Sequence, residues 1–107
     1  MRLIALFKQP PDTPAFEEAY LNRHLPLLRK VPGLDKVTTT RTSRTLLGEG
    51  VYMMIEMLFT DTGALEAALK SPEMIAAGED LQDFAAGLVS LMVMSEYSPT
   101  TADSLGK

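Results

Sequence analysis

The order of its secondary-structure signals is the feature that most limits how this chain can fold. Residues 3–7, 37–46, 51–59 and 88–96 are predicted strands, because each is rich in apolar or β-branched side chains and is bounded by turn residues. One helical stretch follows the first strand, and another follows the third. The order is therefore β-α-β-β-α-β.

The first helix is marked at both ends. Thr13 is the predicted N-cap, with Pro14 at the first helical position, and the helix is expected to run to about Lys30. Pro32 and Gly33 end it, because a residue before proline avoids helical geometry and glycine accepts a left-handed turn.

The second helical stretch has two parts. A short helix is predicted over about residues 62–70, and Ser71 and Pro72 begin a longer helix that Gly87 ends. With its helices on one face of the sheet, this order predicts an α+β, ferredoxin-like βαββαβ fold with a four-stranded antiparallel sheet.

The other face of the sheet is expected to carry more apolar area than a soluble monomer exposes. Strand alternation places on it Tyr52, Met54, Leu58, Met92 and Met94. We therefore expect a second copy of the chain to cover this open face, which makes the protein a homodimer.

Basic and acidic side chains are unevenly distributed along the chain. Residues 1–46 contain eight basic and four acidic side chains, whereas residues 47–107 contain two basic and ten acidic ones. These halves are expected to pair within or between subunits, and an anion site near Arg41 and Arg44 is the alternative. Glu56 lies on the open face, where a carboxylate must find a partner, and we expect it to pair with one of these arginines.

The composition excludes several classes of function. The absence of cysteine excludes disulfides and thiolate chemistry and favours a reducing, cytoplasmic setting. A net charge of −4 argues against a nucleic-acid partner, and the apolar N-terminal run is too short for a signal peptide or a membrane span. The length predicts one domain over residues 1–97 and a flexible tail over residues 98–107.

The only histidine, His24, is the first candidate for chemistry, since imidazole changes charge near neutral pH. Helical spacing places it on an inward-facing apolar stripe, one turn after Tyr20. Pro26 cannot donate a backbone hydrogen bond to Asn22, so a kink or a widened turn is predicted beside the imidazole. These features favour a small polar pocket between helix and sheet, and the alternative is a structural histidine in the core.

Further residues of a candidate binding pocket lie on both helical stretches. Phe16 and Leu27 share the stripe of the first helix, and Asp80 and Phe84 lie one turn apart on the last. Asp80 is placed to bind the Tyr20 hydroxyl or orient the imidazole, and a surface carboxylate is the alternative. The chain has no glycine-rich phosphate loop, metal-spaced histidine pair, serine elbow or carboxylate dyad, so no metal site is predicted.

Nearly the whole chain resembles the EthD family, most specifically in the first helix. The residues that carry the resemblance are Tyr20, His24, Pro26 and Leu27, then Pro32, Gly33 and Leu34, and later Asp80 and Phe84. The chain departs from the pattern at Ala19, where the family often has an aromatic residue.

The resemblance implies a dimeric α+β barrel, in which two sheets face each other and each subunit keeps a pocket between helices and sheet. It also implies a catabolic enzyme, or an accessory of an oxidative system, that acts on an apolar, aromatic or oxygenated small molecule by dehydratase-, decarboxylase- or isomerase-like acid/base chemistry. His24 would be the general acid or base, and Tyr20 would hold the substrate oxygen or the imidazole. No cofactor is expected.

Three other functions stay open at this point. The chain would be a non-catalytic ligand-binding or accessory module if His24 and Tyr20 only satisfy each other in the core. Two enzymes that occur on the same barrel are a cofactorless quinol-type monooxygenase and a haem protein with His24 as proximal ligand.

Overall fold

The sheet is built around β1 (Arg2–Phe7), which pairs antiparallel with β3 (Met53–Phe59) on one side and with β4 (Val89–Met94) on the other. β2 (Leu34–Arg41) pairs antiparallel with the far side of β3, so the strand order is β2-β3-β1-β4. A computed structural model describes residues 1–97, and the flexible tail predicted over residues 98–107 lies outside the described residues. The predicted ferredoxin-like α+β fold is confirmed.

The first helical stretch has three segments in one continuous path. They are α1 (Thr13–Ala19), a π-helical turn (Tyr20–His24) and α2 (Leu25–Leu28). The helix begins one residue earlier than predicted, because the Asp12 side chain, rather than that of Thr13, accepts a hydrogen bond from the Ala15 backbone N–H at 3.1 Å.

The π-helical turn is the predicted widened turn. The Leu25 backbone N–H bonds to the Tyr20 carbonyl, five residues back, instead of four as in an α-helix. Pro26 follows directly and has no N–H to bond to the Asn22 carbonyl, so the regular bonding pattern is already interrupted there. This turn carries His24 to the inner side of the helix.

The second helical stretch consists of α3 (Thr62–Leu69) and α4 (Pro72–Ala85). The side chain of Asp61 caps α3 and that of Ser71 caps α4. Gly87 follows α4 with a φ of +77°, the left-handed conformation that favours glycine after a helix. No helix within residues 1–97 is long and apolar enough to cross a membrane.

The hydrophobic core lies between the helices and one face of the sheet. Alternate residues of β3 are buried in it, from Met53 to Phe59, and they lie beside Leu3, Ala5 and Phe7 of β1. The helices contribute Phe16 and other apolar side chains to the same cluster.

The structure corrects three expectations about the sheet. β2 ends at Arg41 instead of continuing through residues 42–46, which belong to an exposed loop. Tyr52 precedes β3 and packs edge-on against Phe16 on the helical side, so it is not on the open face. Glu56 pairs with Arg2 at 3.7 Å, because Arg41 lies opposite Met53 in the sheet register and therefore on the other face.

Candidate functional site

The His24 side chain is the centre of the candidate site. It lies at the end of the π-helical turn and is almost fully buried, with 3% of its surface exposed. The Phe84 ring of α4 lies 5.1 Å from it and the Tyr20 ring lies 6.1 Å from it, measured between ring centroids. The imidazole is thus held between the first helical stretch and α4.

A carboxylate on α4 binds one side of the imidazole. His24 Nδ1 lies 3.1 Å from Asp80 Oδ2, so of the roles considered for Asp80 the structure shows contact with His24. The other carboxylate oxygen, Oδ1, accepts a hydrogen bond from Arg23 Nε. Arg23 also donates to Asp83 Oδ2 at 3.1 Å, so its guanidinium bridges two carboxylates one turn apart.

The surroundings favour a neutral imidazole. Burial among apolar side chains lowers the pKa of His24 below its usual 6.5, because it disfavours the charged ring. The Asp80 carboxylate raises this pKa without reversing the shift, and the Arg23 charge lowers it further. His24 is therefore uncharged near pH 7, so one of its ring nitrogens carries a hydrogen and the other does not.

Tyr20 bonds to the sheet instead of to Asp80. Its hydroxyl shares a hydrogen bond with the Thr39 hydroxyl of β2. Burial raises the pKa of Tyr20, so the side chain stays a neutral phenol that supports the His24 ring by packing.

A cavity of about 150 Å³ lies beside His24 and is lined by residues of α2, α3, α4 and the sheet. His24 forms part of its wall, and the other lining residues are apolar. Those other residues are Leu3, Ala5, Leu28, Ile55, Met57, Leu69, Met74, Ala77, Gly78, Leu81 and Leu91.

The candidate binding residues predicted from the sequence are only partly brought together. Phe16 and Phe84 pack with ring centroids 5.3 Å apart, and Phe84 and Asp80 both contact His24. None of the three lines the cavity. Leu27 lies apart from them, beside a surface depression next to Lys30.

Arg41, one of the two arginines that suggested an anion site, is bound to a carboxylate of the chain. Arg41 donates to Glu17 Oε2 at 3.0 Å, and the Tyr52 hydroxyl donates to the same oxygen. The hydrogen bond from Tyr52 and then that from Arg41 lower the pKa of Glu17. A carboxylate of the chain thus already occupies this position.

A family model gives an independent view of the chain. The description of that model is EthD domain, and it matches residues 8–87. The chain belongs to the EthD family. All six site residues predicted from the sequence lie within the matched range, and so do Arg23 and Gly78.

Solved and curated relatives agree with this assignment. A crystal structure of an EthD family protein from Bacillus halodurans is 42% identical, with a TM-score of 0.84, and the match covers 90% of this chain and 97% of that one. An uncharacterized 11.0 kDa protein from the thcB-thcC intergenic region of Rhodococcus erythropolis is 27% identical over 97 residues, which cover 89% of this chain and 93% of that protein.

A more distant structure shows the fold alone. This protein, from Thermobifida fusca, is described as a dimeric ferredoxin-like protein of unknown function. It is 18% identical, with a TM-score of 0.63, and the match covers 87% of this chain and 89% of that one.

Several residues of this EthD site were not found from the sequence. Arg23 is one of these residues, because nothing in the local sequence indicates that it reaches α4. Thr39 could have been found, since it lies two residues after Val37 and therefore on the same, helical face of β2. Gly78 also carried a signal, because a glycine inside a helical stretch lowers helix stability and leaves space.

Side chains that can bind metals are not clustered in the described part of this EthD chain. Residues 1–97 contain no group of three or more histidine, cysteine, aspartate or glutamate side chains placed to hold a metal ion.

Proposed function

We propose that this EthD protein binds a small, neutral, apolar oxygenated compound in the cavity and that His24 transfers a proton to or from it. The observation that carries this proposal is the position of the imidazole, which is paired with Asp80 through Nδ1 and forms part of the wall of an otherwise apolar cavity. Pockets of this kind bind apolar molecules and orient them with few polar groups.

The Asp80 contact suits the imidazole to acid/base catalysis. When neutral His24 takes a proton from the bound compound, the resulting imidazolium is stabilised by the adjacent carboxylate. The ring then returns the proton to another atom of the compound, as dehydration or isomerisation requires. Proton transfer of this kind typically contributes about 10²- to 10⁴-fold to the rate.

The cavity volume limits the size of the compound. A dry cavity of about 150 Å³ in another protein holds benzene. A haem macrocycle is much larger, so the residues around His24 do not fit the haem alternative and no step is derived through it.

We also propose that the open sheet face forms a homodimer and that the protein is cytoplasmic. Met54, Leu58, Met92 and Met94 lie on this face, around the buried Ile4. The description of the Thermobifida fusca relative as dimeric supports the same arrangement. The absence of cysteine supports a reducing compartment.

The only histidine makes a direct test simple, because untagged protein has one imidazole Hε1 signal in its NMR spectrum. We expect benzene, phenol or cyclohexanone to shift this signal saturably in the wild type. Gly78→Leu should abolish the shift, since it adds four carbons at the cavity wall, where a Cβ atom meets no other atom within 4 Å.

Catalysis is tested by following the consumption of each compound that binds. His24→Gln should stop consumption of the compound, whereas Gly78→Leu should prevent the compound from binding. Binding without consumption would indicate the ligand-binding module, and consumption that requires O₂ would indicate the monooxygenase. An imidazole signal that neither titrates nor responds to any compound would make His24 a structural core residue.

A further inference from the structure

The two nitrogens of His24 have different hydrogen-bonding roles. Nδ1 faces Asp80 Oδ2 at 3.1 Å, and Arg23 binds the other oxygen of the same carboxylate. A carboxylate held by a guanidinium only accepts hydrogen bonds, so Nδ1 must carry the hydrogen. Because a neutral imidazole has a single ring hydrogen, Nε2 carries a lone pair.

The structure leaves Nε2 available to a ligand. No hydrogen bond to it is made by the described residues, yet every fully buried side-chain nitrogen or oxygen among them has a partner. Nε2 is therefore not fully buried, even though only 3% of the surface of the whole residue is exposed. His24 is the polar residue in the lining of the cavity, and its Nδ1 atom is taken up by Asp80, so Nε2 is the ring atom that His24 can offer there.

We propose that the cavity selects a compact, neutral compound that donates one hydroxyl hydrogen to His24 Nε2, such as an alcohol, a phenol or an enol of about the size of benzene. This inference rests on the proposed function and specifies its substrate class. A lone pair accepts a hydrogen bond, so Nε2 can bind an O–H group but forms no hydrogen bond with an ether or a ketone oxygen.

The rest of the cavity wall supports the same selectivity. Its other lining side chains are apolar, so they offer neither a cation to a carboxylate nor a donor to a carbonyl oxygen. A charged or strongly polar compound would lose its hydration there without replacement. A hydroxyl directed at Nε2 keeps its hydrogen bond, and the same contact places its hydrogen where the base can take it.

Cyclohexanol and cyclohexanone test this selectivity, because they share a six-membered ring and differ in whether the oxygen can donate. The measurement is the ratio of their two dissociation constants, ketone over alcohol, obtained from the shift of the His24 imidazole signal. Gly78→Leu is the control that identifies binding inside the cavity.

Asp80→Asn should remove the preference, because a hydroxyl oxygen and a ketone oxygen can both accept a hydrogen bond from an Nε2–H group. Arg23 donates to the Oδ1 atom of residue 80, so the asparagine carbonyl is expected to stay toward Arg23 and its NH₂ group to face His24 Nδ1. That donor leaves the lone pair on Nδ1 and the hydrogen on Nε2. The dissociation-constant ratio should then fall about fivefold or more relative to the wild type, which is the effect of one net hydrogen bond.

The ¹⁵N spectrum of the imidazole provides a second measurement that needs no variant. In the wild type it should show the hydrogen on Nδ1, and a hydrogen on Nε2 would overturn the inference. Equal ratios in the wild type and a folded Asp80→Asn would also overturn it, while cavity binding that is sensitive to Gly78→Leu would leave the proposed function standing. If neither compound binds saturably in the wild type, the proposed function fails and this inference fails with it.

Discussion

Replacing Gly78 by alanine should make the protein more stable although it removes space from the cavity. Gly78 lies inside the 14-residue helix α4, and a Cβ atom added there meets no other atom within 4 Å. Glycine in a helix interior is less favourable than alanine by about 0.5–1 kcal/mol. Without a clash to offset it, the whole of this difference should appear in the free energy of unfolding.

For a domain of this size, that gain corresponds to a rise of about 2–8 °C in Tm. Urea denaturation at fixed protein concentration gives the free energy, and calorimetry gives Tm. The matched control is Gly87→Ala, because a Cβ atom at Gly87 also meets open space but the backbone has a φ of +77°. This control should destabilise the protein by about 1–2 kcal/mol, the cost of a left-handed conformation for a residue with a Cβ atom.

The pair of variants separates backbone conformation from packing, since both positions have room for a methyl group. A loss of stability in Gly78→Ala would refute the reasoning, because it would mean that the space beside α4 is needed by the folded chain itself. The cavity would then be part of the packing instead of a place for a ligand.

Three further predictions concern charge and assembly. Because burial lowers the pKa of His24, the unfolded chain takes up a proton at a higher pH than the folded chain does. The free energy of unfolding should therefore fall as the pH drops below about 6.5 and level off below the pKa of the folded state. Urea denaturation at a series of pH values should show this dependence in the wild type and not in His24→Gln. Asp80→Ala leaves buried Nδ1 without its partner and should cost about 1–3 kcal/mol in urea denaturation. Arg23→Ala removes two ion pairs of a half-exposed guanidinium and should cost about 1 kcal/mol or less, so an equal loss in both variants would contradict this account. Leu58→Lys on the open face should give a monomer in light scattering, whereas Leu47→Lys in the exposed loop should not change the mass; a dimer that survives Leu58→Lys would place the interface elsewhere.

Local sequence rules were sufficient for most of the fold. Proline and glycine signals at Pro32, Gly33 and Gly87 marked the helix ends correctly, because they act through the backbone of one or two residues. The alternation of β3 likewise predicted its buried face. Tyr52 was misplaced because alternation was extended beyond the start of the strand, where the backbone no longer follows it.

The candidate site depended more on contacts between distant segments. His24 could be placed inward from helical spacing alone, and Pro26 predicted the widened turn beside it. Asp80 was one of several carboxylates on α4, and its contact with His24 bridges 56 residues of sequence. The bond between Arg23 and Asp80 similarly depends on how α4 packs against the π-helical turn, which no local pattern specifies.

The π-helical turn makes the number of residues in this segment as important as their identity. Phe16, Tyr20, His24 and Leu28 are all buried, although in a regular α-helix each step of four residues rotates by about 40° away from the preceding one. The wider turn absorbs part of that rotation. Adding or deleting one residue between Tyr20 and Leu25 would turn His24 by about 100°, whereas exchanging an exposed residue there would not. Chains that share this site should therefore differ in the composition of the turn and agree in its length.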